Sequence, residues 1–383
     1  MLSKAKLWLS LALSTLLFWS AGLHAAWDLN MPRGVTQMSR DTYDLHMTIF
    51  WWCVGIGVVV FGAMFWSIIN HRKSKGVQPA TFHESTKVEI IWTLIPFLIL
   101  IAMAIPATRV LTAAYDASES GLDVQIIGYQ WRWEYRYMRE NMDEEEVSFF
   151  SVLSTSREEI NNGVEKGENY LLEVDRPLVI PTNTKVRFLM TSADAIHAWW
   201  VPDFAIKKDT IPGFINETWV IVEEPGIYRG QCAELCGMEH GFMPIEVHAL
   251  EPADYQAWYA EQQAGIRQIR ELAAAEMSME DAMAQGETVY NRNCVACHQP
   301  GGVGMPPVFP ALTGSVKATG DVAVTMDTLV NGVPGTAMAA YGRQLNPIEL
   351  ASIITYVRNG FGNNTGDVVQ PADVNAYIQE GQQ

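Results

Sequence analysis

Cys232-Ala-Glu-Leu-Cys-Gly-Met-Glu-His-Gly-Phe-Met243 places two thiols, an imidazole and a thioether in one short stretch, at Cys232, Cys236, His240 and Met243. A second imidazole, His197, precedes them in Ala195-Ile-His-Ala-Trp199. Soft thiolate and thioether donors beside imidazole suit copper first and zinc next. A structural zinc site would use the cysteines and histidines but has no need of the methionine, and its thiols more often stand in C-x2-C spacing. Two thiolates four positions apart on one loop are also placed to bridge a pair of copper ions, each of which then gains one histidine.

The chain around this stretch is β-like. Val124–Ile127, Tyr170–Val174, Lys185–Met190, Thr218–Val222 and Ile245–Ala249 are rich in β-branched or alternating apolar residues, with Gly and Pro between them. They predict a β-sandwich or barrel over residues 113–251. Asn141–Glu146 is an acidic insert and reads as an exposed loop.

Upstream the composition changes. Met47–Ile69 and Ile90–Thr108 carry no charge, and each is close to the roughly 20 residues that cross a bilayer as a helix. They predict a membrane hairpin within residues 27–112, with helices at about 45–70 and 88–111. Pro96 and Pro106 fall in the second run, which membrane helices tolerate when neighbours satisfy the freed carbonyls. His71-Arg-Lys-Ser-Lys75 joins the runs and by the positive-inside rule faces the cytoplasm. Residues 1–26 read as a cleaved signal peptide, with Lys4 and Lys6, an apolar Leu7–Phe18 and small residues at Ala25-Ala26. Both signals put everything after about residue 113 in the outer compartment.

Downstream, residues 252–285 are rich in Ala, Glu and Gln and read as a helical linker. Residues 286–361 form a small helical domain opening on Cys294-Val-Ala-Cys-His298, a C-x-x-C-H pattern of c-type haem attachment. Two thioethers would fix the porphyrin and His298 would ligate iron. An electron-transfer haem wants methionine as its second axial ligand. Met305 follows His298 too closely to reach the opposite face, and Met326 sits in a helix-like run. Met338, in a small-residue loop, is the favoured choice. Residues 362–383 read as a polar tail.

Of the 5 cysteines, four form these two close pairs, which argues for metal or cofactor attachment rather than a disulfide framework. The fifth, Cys53, lies in the first apolar run and reads as a packing residue. A net charge of −17 excludes the positive footprint that nucleic-acid binding needs. It suits either simple solubility or the steering of a basic protein partner.

The loop Cys232–Met243 resembles the dinuclear copper (CuA) loop of cytochrome c oxidase subunit II, in the haem-copper oxidase family. Asp194-Ala-Ile-His-Ala-Trp-Trp-Val-Pro202, Lys207-Lys-Asp-Thr-Ile-Pro-Gly213 and the two membrane runs ahead of the β-domain match that family over about residues 40–250. With its C-x-x-C-H domain the whole chain resembles the caa-type branch, in which a class I cytochrome c is fused behind the copper domain. The resemblance implies a multidomain membrane protein: a two-helix transmembrane hairpin, an all-β cupredoxin-like domain and an all-α cytochrome c domain. It implies His197, Cys232, Cys236, His240 and Met243 as copper ligands, with Glu234 ligating through its backbone carbonyl. The Glu234 side chain would reach a Mg²⁺ shared with subunit I.

Gly128-Tyr-Gln-Trp-Arg-Trp133 resembles the aromatic stretch at which electrons enter, with Trp131 as the entry residue, although Tyr129 stands where many relatives carry His. Without the resemblance Trp131 reads as core. Val88-Glu-Ile-Ile-Trp-Thr-Leu-Ile-Pro96 resembles the start of the family's second membrane helix. There Glu89 matches a residue at the entrance of a proton path, and its plain alternative is a solvated helix-end carboxylate. The implied function is electron transfer within a proton-translocating respiratory oxidase: from a c-type cytochrome or similar donor, through covalently bound haem c and the copper pair, to subunit I, where O₂ becomes water. The implied setting is the inner (plasma) membrane of a bacterium, with the C-terminal domains in the periplasm and subunit I and other oxidase subunits as partners. A quinol oxidase subunit would lack the copper ligands. A copper subunit of a nitric-oxide-reducing relative, and a membrane-tethered electron carrier, remain the alternatives.

Overall fold

The computed structural model describes residues 30–78, 81, 83–138, 146–342 and 344–380. The signal-peptide expectation and most of the acidic insert at Asn141–Glu146 lie outside these residues.

Two long helices open the described chain, α1 (Gln37–Asn70) and α2 (Thr86–Tyr115). Both are long and apolar enough to cross a membrane. α1 begins earlier than its uncharged run because Thr36 caps it. The Thr36 hydroxyl accepts from Ser39 N at 2.9 Å, and the Ser39 hydroxyl accepts from Thr36 N at 3.0 Å, so two otherwise orphaned N–H groups are satisfied. Phe61, Phe65, Trp66, Trp92 and Phe97 are exposed along the two helices. An apolar surface this extensive marks contact with lipid or another protein. Cys53 is exposed on this surface too.

The hairpin is tied to the next domain at its ends. Arg40 forms an ion pair with Glu223 at 2.7 Å, Trp219 Nε1 donates to the Ala113 carbonyl at 3.3 Å, and Lys185 Nζ donates to the Asp116 carbonyl at 2.8 Å.

Among the described residues the β-domain has ten strands: β1 (Leu122–Tyr129), β2 (Arg132–Tyr137), β3 (Ser148–Ser151), β4 (Leu178–Pro181), β5 (Val186–Ser192), β6 (His197–Val201), β7 (Ile206–Thr210), β8 (Asn216–Val220), β9 (Gly226–Cys232) and β10 (Pro244–Leu250). They form two five-stranded sheets, ordered β3-β2-β1-β5-β8 and β4-β10-β9-β6-β7. β1 runs parallel to β5 and β10 parallel to β4; the other pairs are antiparallel. Alternate residues of β5, Val186, Phe188 and Met190, are buried, as a strand with one face on a core requires. The sheets meet through Phe188 and Trp199, whose ring centroids are 5.1 Å apart. Each such fully buried apolar side chain contributes roughly 1.5–3 kcal/mol.

Tyr170–Val174, read as a strand, is a series of turns ending in one bridge, Leu153 to Val174. Tyr170 N and Leu172 N bond back to Gly167 and Asn169 carbonyls, and Leu171 has φ 62°. That local bonding competes with a ladder and prevails. A single helical turn, α3 (Arg157–Ile160), lies in the same excursion.

The expected linker divides. Its first part is one helix, α4 (Pro252–Ala273). Tyr255, Trp258 and Tyr259 of α4 pack on the β-domain, with Trp258 and Tyr259 centroids 5.4 and 5.9 Å from that of Tyr137. Its second part starts α5 (Met279–Asn293), which belongs to the helical domain, because Ala282, Gly286, Val289 and Tyr290 are buried. Gly286 is required there: a Cβ on it would lie 2.4 Å from the Ser352 carbonyl oxygen.

The remaining helices are α6 (Val295–His298), α7 (Val316–Thr319), α8 (Val322–Asn331), α9 (Pro347–Asn359) and α10 (Pro371–Glu380). α5 crosses α9 at the centre of the domain. α10 lies in the segment expected to be a polar tail. It is ordered because Val369 and Val374 are buried in the same core, where Tyr377 and Ile378 also pack.

Candidate functional site

The cysteine loop leaves β9 at Cys232 and returns to β10 after Met243, so its two ends are pinned by adjacent antiparallel strands. Cys232 N donates to the Met243 carbonyl at 3.0 Å. Inside this closure Cys232 Sγ lies 3.9 Å from Cys236 Sγ and 3.9 Å from His197 Nδ1. Cys236 Sγ is 3.5 Å from His240 Nδ1. Met243 is buried, and the Cys232 thiol approaches the Glu234 carbonyl oxygen at 3.4 Å. The donor atoms of His197, Cys232 and Cys236 all lie within 4.8 Å of one another. β6 supplies His197 to this cluster and the loop supplies the rest.

Thiols and imidazoles gathered so closely fit a thiolate-loving metal in chemistry as well as in number. Two further residues, to which the sequence reading assigned no role, orient them. Asp194 accepts from His197 Nε2 at 3.0 Å and from Gln130 N at 2.8 Å. That contact fixes the ring and turns Nδ1 to the thiols, the arrangement by which a carboxylate commonly steers a metal-binding histidine. Gln130 Nε2 donates to the Cys236 carbonyl at 2.7 Å.

The electrostatics follow the contacts. Burial by itself would lower the His197 pKa, but the Asp194 carboxylate and the Cys232 sulfur outweigh it and hold it up at about 9. Burial opposes ionisation of Cys232, yet the hydrogen bond to His197 and backbone N–H groups pull its pKa below the usual thiol range. Cys236 is pushed upward, by burial and then by the neighbouring Cys232 charge.

Trp131 is half-buried and lies against the loop. A Cβ on Gly237, whose φ is +129°, would come 2.9 Å from Trp131 Cζ2. A larger residue there would displace the indole. Leu235 and Met238 project outward from the loop, 79% and 91% exposed. Glu89 is exposed in the first turn of α2, on the hairpin rather than in the β-domain that carries the thiols.

In the helical domain, Cys294 ends α5 and Cys297 and His298 lie on the single turn of α6. His298 Nδ1 is 2.9 Å from the Pro310 carbonyl. As the Nδ1–H donor it leaves Nε2 free for a metal. Burial pushes the Cys294 thiol up to about 11. Met338 is half-buried against the domain core, Met305 is 44% exposed, and Met326 is buried within α8. Tyr341, also unassigned from sequence, joins the Met338 loop to the end of α5 by donating from its hydroxyl to the Asn293 carbonyl at 3.3 Å.

Three family models match the chain: cytochrome c oxidase subunit II, transmembrane domain, over residues 24–110; cytochrome c oxidase subunit II, periplasmic domain, over 122–250; and cytochrome c oxidase, cbb3-type, subunit III, over 281–357. A probable cytochrome c oxidase subunit 2 of Rickettsia prowazekii is 37% identical over 237 residues, which cover 61% of this chain and 72% of that protein. The corresponding protein of Rickettsia felis is 35% identical, over 67% of this chain and 80% of its own length. Cytochrome c oxidase subunit 2 of Arabidopsis thaliana is 34% identical, over 62% and 90%. Among solved structures, the periplasmic domain of oxidase subunit II of Bradyrhizobium japonicum has 34% identity, covering 39% of this chain and 98% of its own, with a TM-score of 0.34. On the two subunit II models and relatives matched over most of their length, the chain belongs to the cytochrome c oxidase subunit II family, with a cytochrome c domain fused behind it.

Proposed function

We propose that this chain carries electrons from an external c-type donor, through a covalently bound haem in its helical domain and a dinuclear copper centre in its β-domain, to subunit I of an O₂-reducing oxidase. As a subunit II it is an electron-transfer component of a haem-copper oxidase, and its two domains imply copper and haem. The finer assignment gives copper to His197, Cys232, Cys236, His240 and Met243, with the Glu234 carbonyl as a further donor. The observation that carries it is the pair of thiols 3.9 Å apart, each with its own imidazole: His197 Nδ1 lies 3.9 Å from Cys232 Sγ and His240 Nδ1 lies 3.5 Å from Cys236 Sγ.

Copper bound there would supply a one-electron carrier, with the thiols of Cys232 and Cys236 and the imidazoles of His197 and His240 among its donors. The protein's own contribution is to hold the donors still. β6, β9 and β10 fix their positions, Asp194 orients His197, and burial excludes water, which together set potential and limit rearrangement. For haem the assignment is thioether attachment at Cys294 and Cys297, with His298 and Met338 as axial ligands. It is supported by the C-x-x-C-H motif, by the Pro310 carbonyl that orients His298, and by the Met338 loop tied to Asn293.

Trp131 is the proposed electron entry to the copper loop, on the strength of its contact with Gly237. Glu89 is assigned to the entrance of a proton path and the Glu234 side chain to a shared Mg²⁺, both on the family resemblance. Two membrane-length helices and a periplasmic-type β-domain make this a membrane protein. The inner membrane of a bacterium is the proposed site.

The test is to isolate the tagged full chain with its partners in mild detergent and to measure O₂ consumption with a reduced c-type cytochrome. Oxygen uptake that disappears in Cys236→Ser supports the proposal. A complex that reduces nitric oxide but not O₂, or a chain isolated alone, would overturn it.

A further inference from the structure

The geometry points to Arg132 as a positioning residue: it latches the fused helical domain onto the β-domain beside Trp131 and so fixes the approach of the two redox sites. This rests on the reading of a haem in one domain and copper in the other.

Arg132 begins β2, next to Trp131, and Trp131 lies against Gly237 of the copper loop. Its Nη1 donates to Gln344 Oε1, in the helical domain, at 3.0 Å. The guanidinium is aimed by aromatic rings of its own sheet, 4.6 Å from the Phe150 centroid and 5.6 Å from that of Tyr129. The Tyr129 hydroxyl is in turn held by donating to Glu134 at 2.8 Å. A cation stacked on rings keeps its direction at little entropic cost.

Gln344 is equally well placed. Its backbone N donates to the Tyr341 carbonyl at 2.9 Å, and its side-chain amide donates to the Ala340 carbonyl. Tyr341 N donates to the Leu329 carbonyl at 2.7 Å, and its hydroxyl reaches Asn293, beside Cys294. A continuous chain of contacts thus runs from Cys294 through Tyr341, Gln344, Arg132 and Trp131 to Cys236.

A single hydrogen bond would not hold a domain on a floppy tether, but α4 is a strut. Its first half packs through Tyr255, Trp258 and Tyr259 on the β-domain. Its far end packs on α9 and α10. The connection to α5 is buckled to the C-terminal segment: Met277 N donates to Gln370 Oε1 at 2.8 Å, and Gln370 Nε2 donates to the Met277 carbonyl at 3.2 Å. The strut sets the separation of the domains, and Arg132–Gln344 sets their rotation. The step served is transfer of one electron, the helical-domain site being oxidised by one as the β-domain site is reduced by one.

The experiment uses the full chain in the assembled oxidase, comparing wild type with Arg132→Ala, Arg132→Lys, Gln344→Ala and the double alanine variant. Three quantities are read: deuterium uptake over residues 338–345, copper and haem content with their potentials, and the rate of electron transfer between the sites after photoreduction. A charge-assisted contact of this kind corresponds to about a tenfold change in docked population. Arg132→Ala and Gln344→Ala should each raise uptake and slow transfer about tenfold at unchanged content and potentials. Arg132→Lys should restore only part of the protection, since an ammonium keeps the charge but lacks the planar fork that the rings aim, and the double variant should be no worse than either single one. Unchanged uptake in both alanine variants, or raised uptake with an unchanged transfer rate, would overturn the latch. A shift in either potential would also overturn it, since Arg132 would then act on a site rather than on docking. Absence of copper or haem from the wild-type chain would instead sink the underlying reading, while the uptake comparison would still decide the latch.

Discussion

The two cofactor regions are built on different plans. In the β-domain, thiols and imidazoles from a strand and a loop already lie within contact distance of one another. In the helical domain, Cys297 and His298 sit on one helical turn that Cys294 precedes, whereas Met338 is held by a separate loop through Tyr341 and Asn293. The difference follows from the chemistry of each group. A metal pair needs donors converging on a few ångströms, so the strands must gather them. On the proposed assignment a haem would take its two axial ligands, His298 and Met338, from distinct segments, which need only be aimed.

The comparison breaks most visibly at the thiols. Cys232→Ser should abolish the dinuclear copper signal and leave covalent haem and its potential unchanged, because the lost sulfur belongs only to the gathered site. Copper assay and redox titration of the same preparation check both halves. On the clamped side, Met338→His should lower the haem potential by roughly 0.1 V or more, since axial ligands span about 0.8 V in all, while leaving attachment intact. A shift produced by Met305→His, with none from Met338→His, would move the clamp to another loop.

A gathered site should also depend on what orients its donors. Asp194→Asn is expected to weaken copper binding by about 10–100-fold with the fold retained, as read by competition with a copper chelator. The smallest effect expected is on packing alone. Gly286→Ala, pressed against the Ser352 carbonyl, should destabilise the helical domain by about 1–3 kcal/mol, seen as a lower melting temperature of haem absorbance with the copper signal unmoved.

Much of this was legible in sequence because it is local. The two uncharged runs, the C-x-x-C-H turn and the Cys232–Met243 loop each declare themselves within a short window. The parts missed depend on contacts between distant segments. Asp194 stands only three positions from His197, but its carboxylate is held in place by Gln130 N, which the pairing of β1 with β5 brings to it across 64 positions. Arg132 gains meaning only once a domain 212 residues away is folded against it. The C-terminal segment reads as a tail because its attachment rests on a few apolar residues, Val369 and Val374 foremost, and on hydrogen bonds to distant residues such as Met277 and Asp327. Tyr170–Val174 has strand-like composition, but its backbone groups are taken by turns. α4 looked like a plain linker because Tyr255, Trp258 and Tyr259 show their purpose only against Tyr137.

The most direct test of the central claim is electron paramagnetic resonance of the purified full chain, with copper and haem counted per polypeptide. The account expects two coppers and one covalent haem, with the hyperfine pattern of one unpaired electron shared equally between two copper nuclei. A single zinc, or one copper with the pattern of an isolated nucleus, would contradict the dinuclear assignment and the electron path built on it.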